Sequence, residues 1–129
     1  MTMTALDKWY AYTKSHDRAA LWDLLDPEAV FESPVVHTPQ RGRDITFKYL
    51  LGADKVLGGP GFAYVGEWRS DTGAVLEFEN EIDGIRINGV DMITFGNDGR
   101  ITHFKVMVRP LKAINLLHRL MGEQLAQQK

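Results

Sequence analysis

The alternation of apolar and polar residues after residue 61 constrains the fold more than any other feature of the sequence. Four stretches show this period of two: 62–70, 74–83, 86–95 and 100–109. They are separated by "SDTG", "DG" and "GNDG", which are typical of the tight turns between antiparallel strands. The sequence therefore predicts a four-stranded antiparallel meander, which Pro110 ends because proline cannot donate to a strand ladder.

The residues before this region show helical spacing instead. Four of them lie at i, i+3, i+4 and i+7 and predict a first helix: Leu6, Trp9, Tyr10 and Thr13. Asp17 is placed to cap a second helix over "RAALWDLL", which "DP" ends because the residue before proline disfavours the α region. Asp44 is similarly placed to cap a third helix, "ITFKYLLGADKVL", which "GGPG" ends.

Two further elements complete the predicted order. "EAVFESP" is typical of a short strand closed by Pro34, and "VVHTPQRGR" is typical of a loop. After residue 110, four residues on one face predict a terminal helix: Ile114, Leu117, Met121 and Leu125. Helices followed by a meander indicate an α+β fold in a single domain over residues 1–129. In this fold a curved antiparallel sheet packs against the N-terminal helices, with an additional C-terminal helix.

Composition and charge exclude several classes of partner and site. The chain carries 15 basic and 17 acidic residues and no long basic stretch, so we expect no nucleic-acid partner. It has no secretion signal and no apolar segment near the roughly 20 residues that span a bilayer, so we expect a cytoplasmic protein without a membrane partner. There is no cysteine, no histidine pair with metal-ligand spacing and no nucleotide-binding fingerprint. We therefore expect neither a metal nor a cofactor.

An aspartate interrupts the apolar stretch "GVDMITF" at residues 89–95. Since side chains alternate along a strand, Asp91 shares the apolar face with Ile87 and Ile93, which we expect to meet the helices. One interpretation is a buried carboxylate held by backbone donors or a nearby cation. The other is a catalytic group, because buried acids with perturbed pKa values cluster at functional sites.

The opposite face of the predicted sheet carries charged residues. Among them, Glu79 and Lys105 can pair across strands if their strands lie near each other. These charges indicate a solvated surface or part of a wet dimer interface.

Two stretches, "HDRAALWDLLDPEAVFESP" and "GVDMITFGNDGRI", together with the order of elements, resemble the nuclear transport factor 2-like superfamily. The superfamily includes ketosteroid isomerase, SnoaL-like polyketide cyclases, scytalone dehydratase and limonene epoxide hydrolase, along with many non-catalytic members. The resemblance covers nearly the whole chain. It implies a cone-shaped, cystatin-like α+β fold, commonly in homodimers, and it implies the fold more strongly than any activity.

Ketosteroid isomerase gives the closest correspondence. Its buried oxyanion-hole aspartate falls on Asp91, where desolvation would raise the carboxyl pKa and a protonated acid could donate a hydrogen bond to a developing oxyanion. Its general-base aspartate falls on Ser33, which cannot act as a base at neutral pH. Its oxyanion-hole tyrosine falls on Trp9, or on Tyr10 after a shift of one position. We therefore do not expect steroid isomerisation by that route.

The other enzymes of the superfamily fit less closely. Hydrolases and cyclases of this fold often carry an acidic pattern in the last strand, where this chain has "KVMVR", with Val106 and Arg109 at the acidic positions. This argues against an epoxide hydrolase mechanism of that type. Scytalone dehydratase uses tyrosines, histidines and an aspartate, and this chain offers Tyr10, Tyr49, His37 and Asp91 without a one-to-one correspondence.

The sequence thus predicts a cavity that binds a small, largely apolar molecule. If the protein is an enzyme, Asp91 is the acid or oxyanion donor and His37 the base of an isomerisation, dehydration or cyclisation by proton transfer. Seven residues are expected to form the pocket: Trp9, Tyr10, Ser33, Tyr49, Phe78, Phe104 and Val106. Two alternatives stay open, namely a non-catalytic binding protein and a dimeric structural module whose own side chains fill the pocket.

Overall fold

The computed structural model describes residues 4–127, in which helices pack against one face of a curved six-stranded sheet. The elements in chain order are α1 (Ala5–Ser15), α2 (Arg18–Leu24), β1 (Leu25–Glu32), β2 (Gln40–Arg41), α3 (Arg43–Leu57), β3 (Ala63–Arg69), β4 (Gly73–Ile82), β5 (Ile85–Phe95), β6 (Ile101–Arg109) and α4 (Leu111–Gln127). The predicted α+β class, with an additional C-terminal helix, is confirmed. None of the helices within residues 4–127 combines the length and apolar composition needed to cross a membrane.

Two of the helices begin at side-chain caps. The Thr4 hydroxyl accepts from the Asp7 backbone N–H, and the Asp7 carboxylate accepts from the Thr4 backbone N–H, which forms a capping box for α1. Asp17 caps α2 as predicted, because its carboxylate accepts from the backbone N–H of Ala19 at 3.0 Å. Each such cap is worth about 1 kcal/mol of helix stability.

The predicted cap of α3 is wrong. The N-cap is Gly42, whose φ of 114° lies in the region that favours glycine, and Asp44 already lies in the first helical turn. The helix begins at Arg43, before the predicted start, because Arg43 is anchored to α2. Its Nε donates to the Trp22 carbonyl at 3.1 Å. The Arg43 guanidinium also lies 4.2 Å from the centre of the Trp22 ring.

The sheet has the order β2-β1-β6-β5-β4-β3. Strands β3 to β6 form the predicted antiparallel meander, and β1 adds to its β6 edge in parallel. The proposed pair of Glu79 and Lys105 is wrong, because β5 lies between their strands. Instead, Lys105 Nζ lies 3.6 Å from Glu32 Oε2 on β1, and Glu79 lies opposite Asn88.

The predicted alternation of faces is confirmed in the three longest strands. On the inner face, Leu76, Ile87 and Phe104 are each at most 2% exposed and pack with the helices in one apolar core. Burying a side chain of this size contributes about 1.5–3 kcal/mol. Asp91 lies in the same inward-facing row of β5, as the sequence predicted.

Candidate functional site

A cavity of about 450 Å³ lies between α1, α3, α4 and the inner face of the sheet. Its walls are largely apolar: Phe31, Leu50, Phe78, Phe104, Leu117 and Met121 contribute to them. The volume falls in the range typical of small-molecule pockets, which are also mostly apolar with a few polar groups. The side chains of the core therefore leave space beside Asp91. This differs from the structural module considered above, whose own side chains would fill the pocket.

Asp91 lies in the wall of this cavity and is 7% exposed. It is central in β5, opposite Leu76 on β4 and Val106 on β6, so the backbone around it is paired on both sides. The Tyr64 hydroxyl donates to Asp91 Oδ2 at 2.5 Å, and Trp9 Nε1 donates to the Tyr64 oxygen at 3.1 Å. We call Trp9, Tyr64 and Asp91 the Asp91 cluster.

Burial raises the pKa of Asp91 to about 7, and the hydrogen bond from Tyr64 opposes that rise. Burial and the neighbouring Asp91 raise the pKa of Tyr64 far above its usual range, so the phenol keeps its proton and remains a donor. Within residues 4–127, no group donates a hydrogen bond to the other carboxyl oxygen, Asp91 Oδ1. Burial thus favours the protonated form of Asp91 more than in an ordinary aspartate, and Oδ1 is left for contact with a ligand.

A second polar group lines the cavity on α3. Asp54 accepts from the Tyr12 hydroxyl at 3.3 Å, and His16 Nδ1 lies 2.8 Å from Asp54 Oδ2 and 2.9 Å from Oδ1. The Asp54 side chain is 19% exposed. Burial, followed by the charge of Asp54, raises the pKa of Tyr12, so this phenol also stays protonated. We call Tyr12, His16 and Asp54 the Asp54 cluster.

Sequence reasoning missed both Tyr64 and Asp54. Tyr64 lies two residues after Phe62, and both side chains point to the inner face of the sheet. The pairing of β3 with β4 shifts register directly after Tyr64. Asp54 lies four residues after Leu50 and three residues before Leu57, so all three share one face of α3. This spacing is the signal that could have identified it.

Seven of the nine predicted site residues line the cavity: Trp9, Tyr10, Ser33, Phe78, Asp91, Phe104 and Val106. Tyr49 and His37 are not among the lining residues. The Tyr49 ring packs against Phe31 with 5.3 Å between ring centroids, and His37 is exposed in the segment between β1 and β2. The structure does not bring His37 to Asp91.

Three of the seven predicted residues that line the cavity use their polar atoms in hydrogen bonds within the protein. The Trp9 indole supports Tyr64, the Tyr10 hydroxyl donates to the Glu67 carboxylate, and Ser33 Oγ accepts from the Val35 backbone N–H at 3.1 Å. Burial raises the pKa of Tyr10 to about 12. Among the described residues, no three histidine or acidic side chains come together as a metal site would require.

Comparison with known proteins gives a family match and several structural matches. A model of the SnoaL-like domain matches residues 6–104. A steroid delta-isomerase from Pseudomonas aeruginosa, known from its crystal structure, shares 36% sequence identity with this chain. The two structures superpose with a TM-score of 0.90, and the match covers 96% of this chain and 90% of that chain. An uncharacterised bacterial protein with a cystatin-like fold, from Silicibacter pomeroyi DSS-3, is 24% identical with a TM-score of 0.84, covering 93% and 84% of the two chains.

A more distant structure shows the fold alone. It is the epoxide hydrolase/cyclase-like enzyme SalBIII of pyran ring formation in the polyether salinomycin, which is 16% identical with a TM-score of 0.65, covering 81% of this chain and 88% of that chain. No curated protein matches the sequence. The family match, the similarity to the steroid delta-isomerase and the fold together confirm the resemblance read from the sequence. The chain belongs to the SnoaL-like domain family and has the nuclear transport factor 2-like fold.

Proposed function

We propose that this protein binds a small, largely apolar carbonyl compound in its cavity and promotes proton transfer within it. One observation carries the proposal: Asp91 lies in the wall of an apolar cavity with one carboxyl oxygen held by Tyr64. When protonated, Asp91 donates a hydrogen bond to the ligand carbonyl. In surroundings of low dielectric constant this bond is stronger than in water and stabilises the negative charge that develops on the ligand oxygen.

Such a contact suits isomerisation, dehydration or cyclisation. Each has a route that begins with loss of a proton beside a polarised carbonyl, because polarisation acidifies the adjacent C–H bonds. The similarity to the steroid delta-isomerase from Pseudomonas aeruginosa supports isomerisation among these three reactions. The Tyr64 hydroxyl keeps the carboxyl in one orientation, and the Trp9 indole in turn keeps Tyr64 in place.

The second candidate function is ligand binding without turnover. Ser33, on which the resemblance places the base of ketosteroid isomerase, lies in the cavity wall, and its hydroxyl accepts a hydrogen bond from the Val35 backbone N–H. A serine hydroxyl at that position cannot remove a carbon-bound proton at neutral pH. Catalysis by this chain therefore requires a base from another position.

The affinity for a neutral ketone is expected to fall about tenfold between pH 6 and pH 8. Only protonated Asp91 donates to the ketone, and a pKa of about 7 places that loss in this interval. The measurement is calorimetric titration with 2-tetralone, an apolar bicyclic ketone. The Tyr64→Phe variant should move the fall to higher pH, because the Tyr64 hydrogen bond lowers the pKa of Asp91.

The Asp91→Asn variant is the control for this titration. Its amide donates at every pH and still accepts from Tyr64, so its affinity should not change between pH 6 and pH 8. A fall of the same size in this variant would show that Asp91 does not contact the ketone oxygen.

We also propose that the protein forms a homodimer through the outer face of the sheet. This face exposes an apolar patch of Trp68, Val75, Val90, Met92 and Met107, whose members lie side by side in the strand register. Trp68 is 59% exposed and Met107 is 51% exposed. Exposed apolar surface of this kind marks interaction sites.

The charges around the patch favour a second copy as its partner. Strand β4 carries Glu77 and Glu79, and β6 carries Lys105 and Arg109, with β5 between them. A two-fold axis along β5 places β4 of one copy over β6 of the other. This arrangement brings acidic residues opposite basic ones twice, as a self-complementary interface requires.

The Met107→Glu variant is expected to be monomeric at micromolar concentrations at which the wild type is dimeric. The reason is that a carboxylate at the centre of the interface would be desolvated without a partner. Analytical ultracentrifugation gives the mass of each protein. The control is Leu111→Glu at the start of α4, where Leu111 is 70% exposed. A dimer that persists in Met107→Glu, or a monomeric wild type, contradicts this interface.

A further inference from the structure

We infer that Asp54 is a second catalytic group of the cavity and removes the proton from a ligand held by Asp91. This inference rests on the proposed function and supplies the base that Ser33 cannot provide. Among the described residues that line the cavity, Asp54 and Asp91 are the two acidic ones, and no histidine lines it. Lys14 also lines the cavity, but it is exposed. We therefore assign the base to the Asp54 carboxylate, which two neighbouring side chains hold in place.

Helix α1 holds the two carboxyl groups at different positions along the cavity. Trp9, Tyr12 and His16 lie at i, i+3 and i+7 of this segment, so they follow one side of the helix. Trp9 belongs to the Asp91 cluster, whereas Tyr12 and His16 belong to the Asp54 cluster. With a rise of 1.5 Å per residue, the supports of the two clusters are offset by about 5 to 10 Å along α1. The acidic C–H bond of a ketone lies one bond from the carbonyl carbon, so the lower part of this range lets the ligand oxygen contact Asp91 while that C–H bond meets Asp54.

The contacts of Asp54 hold its carboxylate in one orientation. His16 ends α1 in the left-handed conformation, with φ of 56°, and its ring meets the carboxylate on α3. The Tyr12 hydroxyl, which is buried, donates to the same carboxylate. At the end of α3, the Gly58 backbone N–H donates to the Asp54 carbonyl at 2.8 Å, and a Cβ at Gly58 would collide with Asp54 Oδ1. Glycine at 58 leaves room for both the Asp54 carbonyl oxygen and this orientation of the Asp54 side chain, since a Cβ would lie 2.4 Å from each of the two oxygens.

The reaction is a balanced proton transfer. An Asp54 oxygen takes the proton from a carbon beside the carbonyl, and the electron pair of the broken C–H bond forms a C=C bond. The carbonyl oxygen becomes an enolate or enol oxygen that the Asp91 proton stabilises. When the proton on Asp54 is replaced by one from solvent before return to the same carbon, the result is hydrogen exchange, and when Asp54 returns the proton to a conjugated carbon, the result is isomerisation. No oxidant or reductant takes part.

The test is hydrogen–deuterium exchange of the α-protons of 2-tetralone in D₂O, followed by NMR after subtraction of the uncatalysed rate. The wild type should accelerate exchange, and Asp54→Asn should lose about 100-fold or more of that acceleration, since general bases contribute 10²–10⁴-fold. The affinity of Asp54→Asn for 2-tetralone should stay within about threefold of the wild-type value. Asp44→Asn is the matched control, because Asp44 is an exposed acid in the first turn of the same helix.

Formate rescue separates a missing base from a disturbed fold. In Asp54→Ala the side chain leaves space for a small carboxylate, and added formate should restore part of the exchange rate in proportion to its concentration. Formate should not accelerate exchange with Asp91→Asn to the same degree, because that variant retains its base.

The outcomes distinguish failure of the role of Asp54 from failure of the proposed function. Equal exchange rates for Asp54→Asn and Asp44→Asn, or no response of Asp54→Ala to formate, overturn the role of Asp54 and leave the binding role of Asp91 intact. A wild type that binds 2-tetralone with the expected dependence on pH, and yet does not exchange its protons, likewise overturns the role of Asp54 and favours ligand binding without turnover. A wild type that neither binds nor exchanges 2-tetralone overturns both proposals.

Discussion

The Asp91→Asn variant is expected to be more stable than the wild type at pH 8, by about 3–4 kcal/mol, and about equally stable near pH 4. The aspartate of the unfolded chain loses its proton near pH 3.8, whereas burial raises the pKa of Asp91 in the folded protein to about 7. Between these values the folded state binds a proton that the unfolded state lacks. The free energy of unfolding of the wild type therefore falls as the pH rises through this window, by about 1.4 kcal/mol per pH unit.

The measurement is urea unfolding of both proteins between pH 4 and pH 8. The amide of the variant still accepts from Tyr64 and does not ionise, so its stability lacks this pH-dependent loss. Asp44→Asn, on the surface of α3, should show no comparable change. A stability difference between Asp91→Asn and the wild type that stays constant across the pH range would mean that burial does not perturb Asp91.

The Phe104→Ala variant is expected to lose about 3–5 kcal/mol of the free energy of unfolding. Phe104 is 2% exposed, and its ring centroid lies 4.9 Å from that of Trp9 and 6.1 Å from that of Phe31. Truncation removes the transfer free energy of the ring and leaves a void that the rigid strand pair of β5 and β6 cannot close. The measurement is urea unfolding at pH 6.

Phe104→Leu is the matched variant, because it keeps most of the buried volume. Its expected loss is smaller, about 1–2 kcal/mol. Equal losses for the two variants would mean that the volume of this side chain does not determine its contribution. Phe104 also lines the cavity, so the alanine variant enlarges it and should bind 2-tetralone less tightly.

The local features of the fold could be predicted from the sequence. The change of period after residue 61 marked the meander, and Asp17 marked the start of α2, because alternation and capping depend on neighbours along the chain. The same alternation placed Asp91 on the inner face. The cap of α3 was missed, since the contact between Arg43 and Trp22 joins two helices and extends α3 beyond its local signal.

The candidate site could be predicted only in part. Alternation and helical spacing predict which way a side chain points, and Phe78 and Phe104, which they place on the inner face, line the cavity. They do not say which element lies opposite. For this reason the sequence did not pair Tyr64 with Asp91, nor His16 with Asp54, which are 27 and 38 residues apart. The prediction of His37 as the base rested on the resemblance and not on periodicity, because a loop has no period to orient its side chains, and His37 is not among the lining residues.

The sequence by itself therefore determined the type and order of the main elements, the family of the fold and the inward orientation of Asp91. The tertiary structure alone decided the strand order that separates Glu79 from Lys105, the cavity beside Asp91 and the two clusters whose carboxyl groups line it. The physical reason is one of range. Periodicity, turns and caps arise between residues that are close in the chain, whereas a site forms where distant elements pack. The burial that raises the pKa of Asp91 exists only once those elements are together.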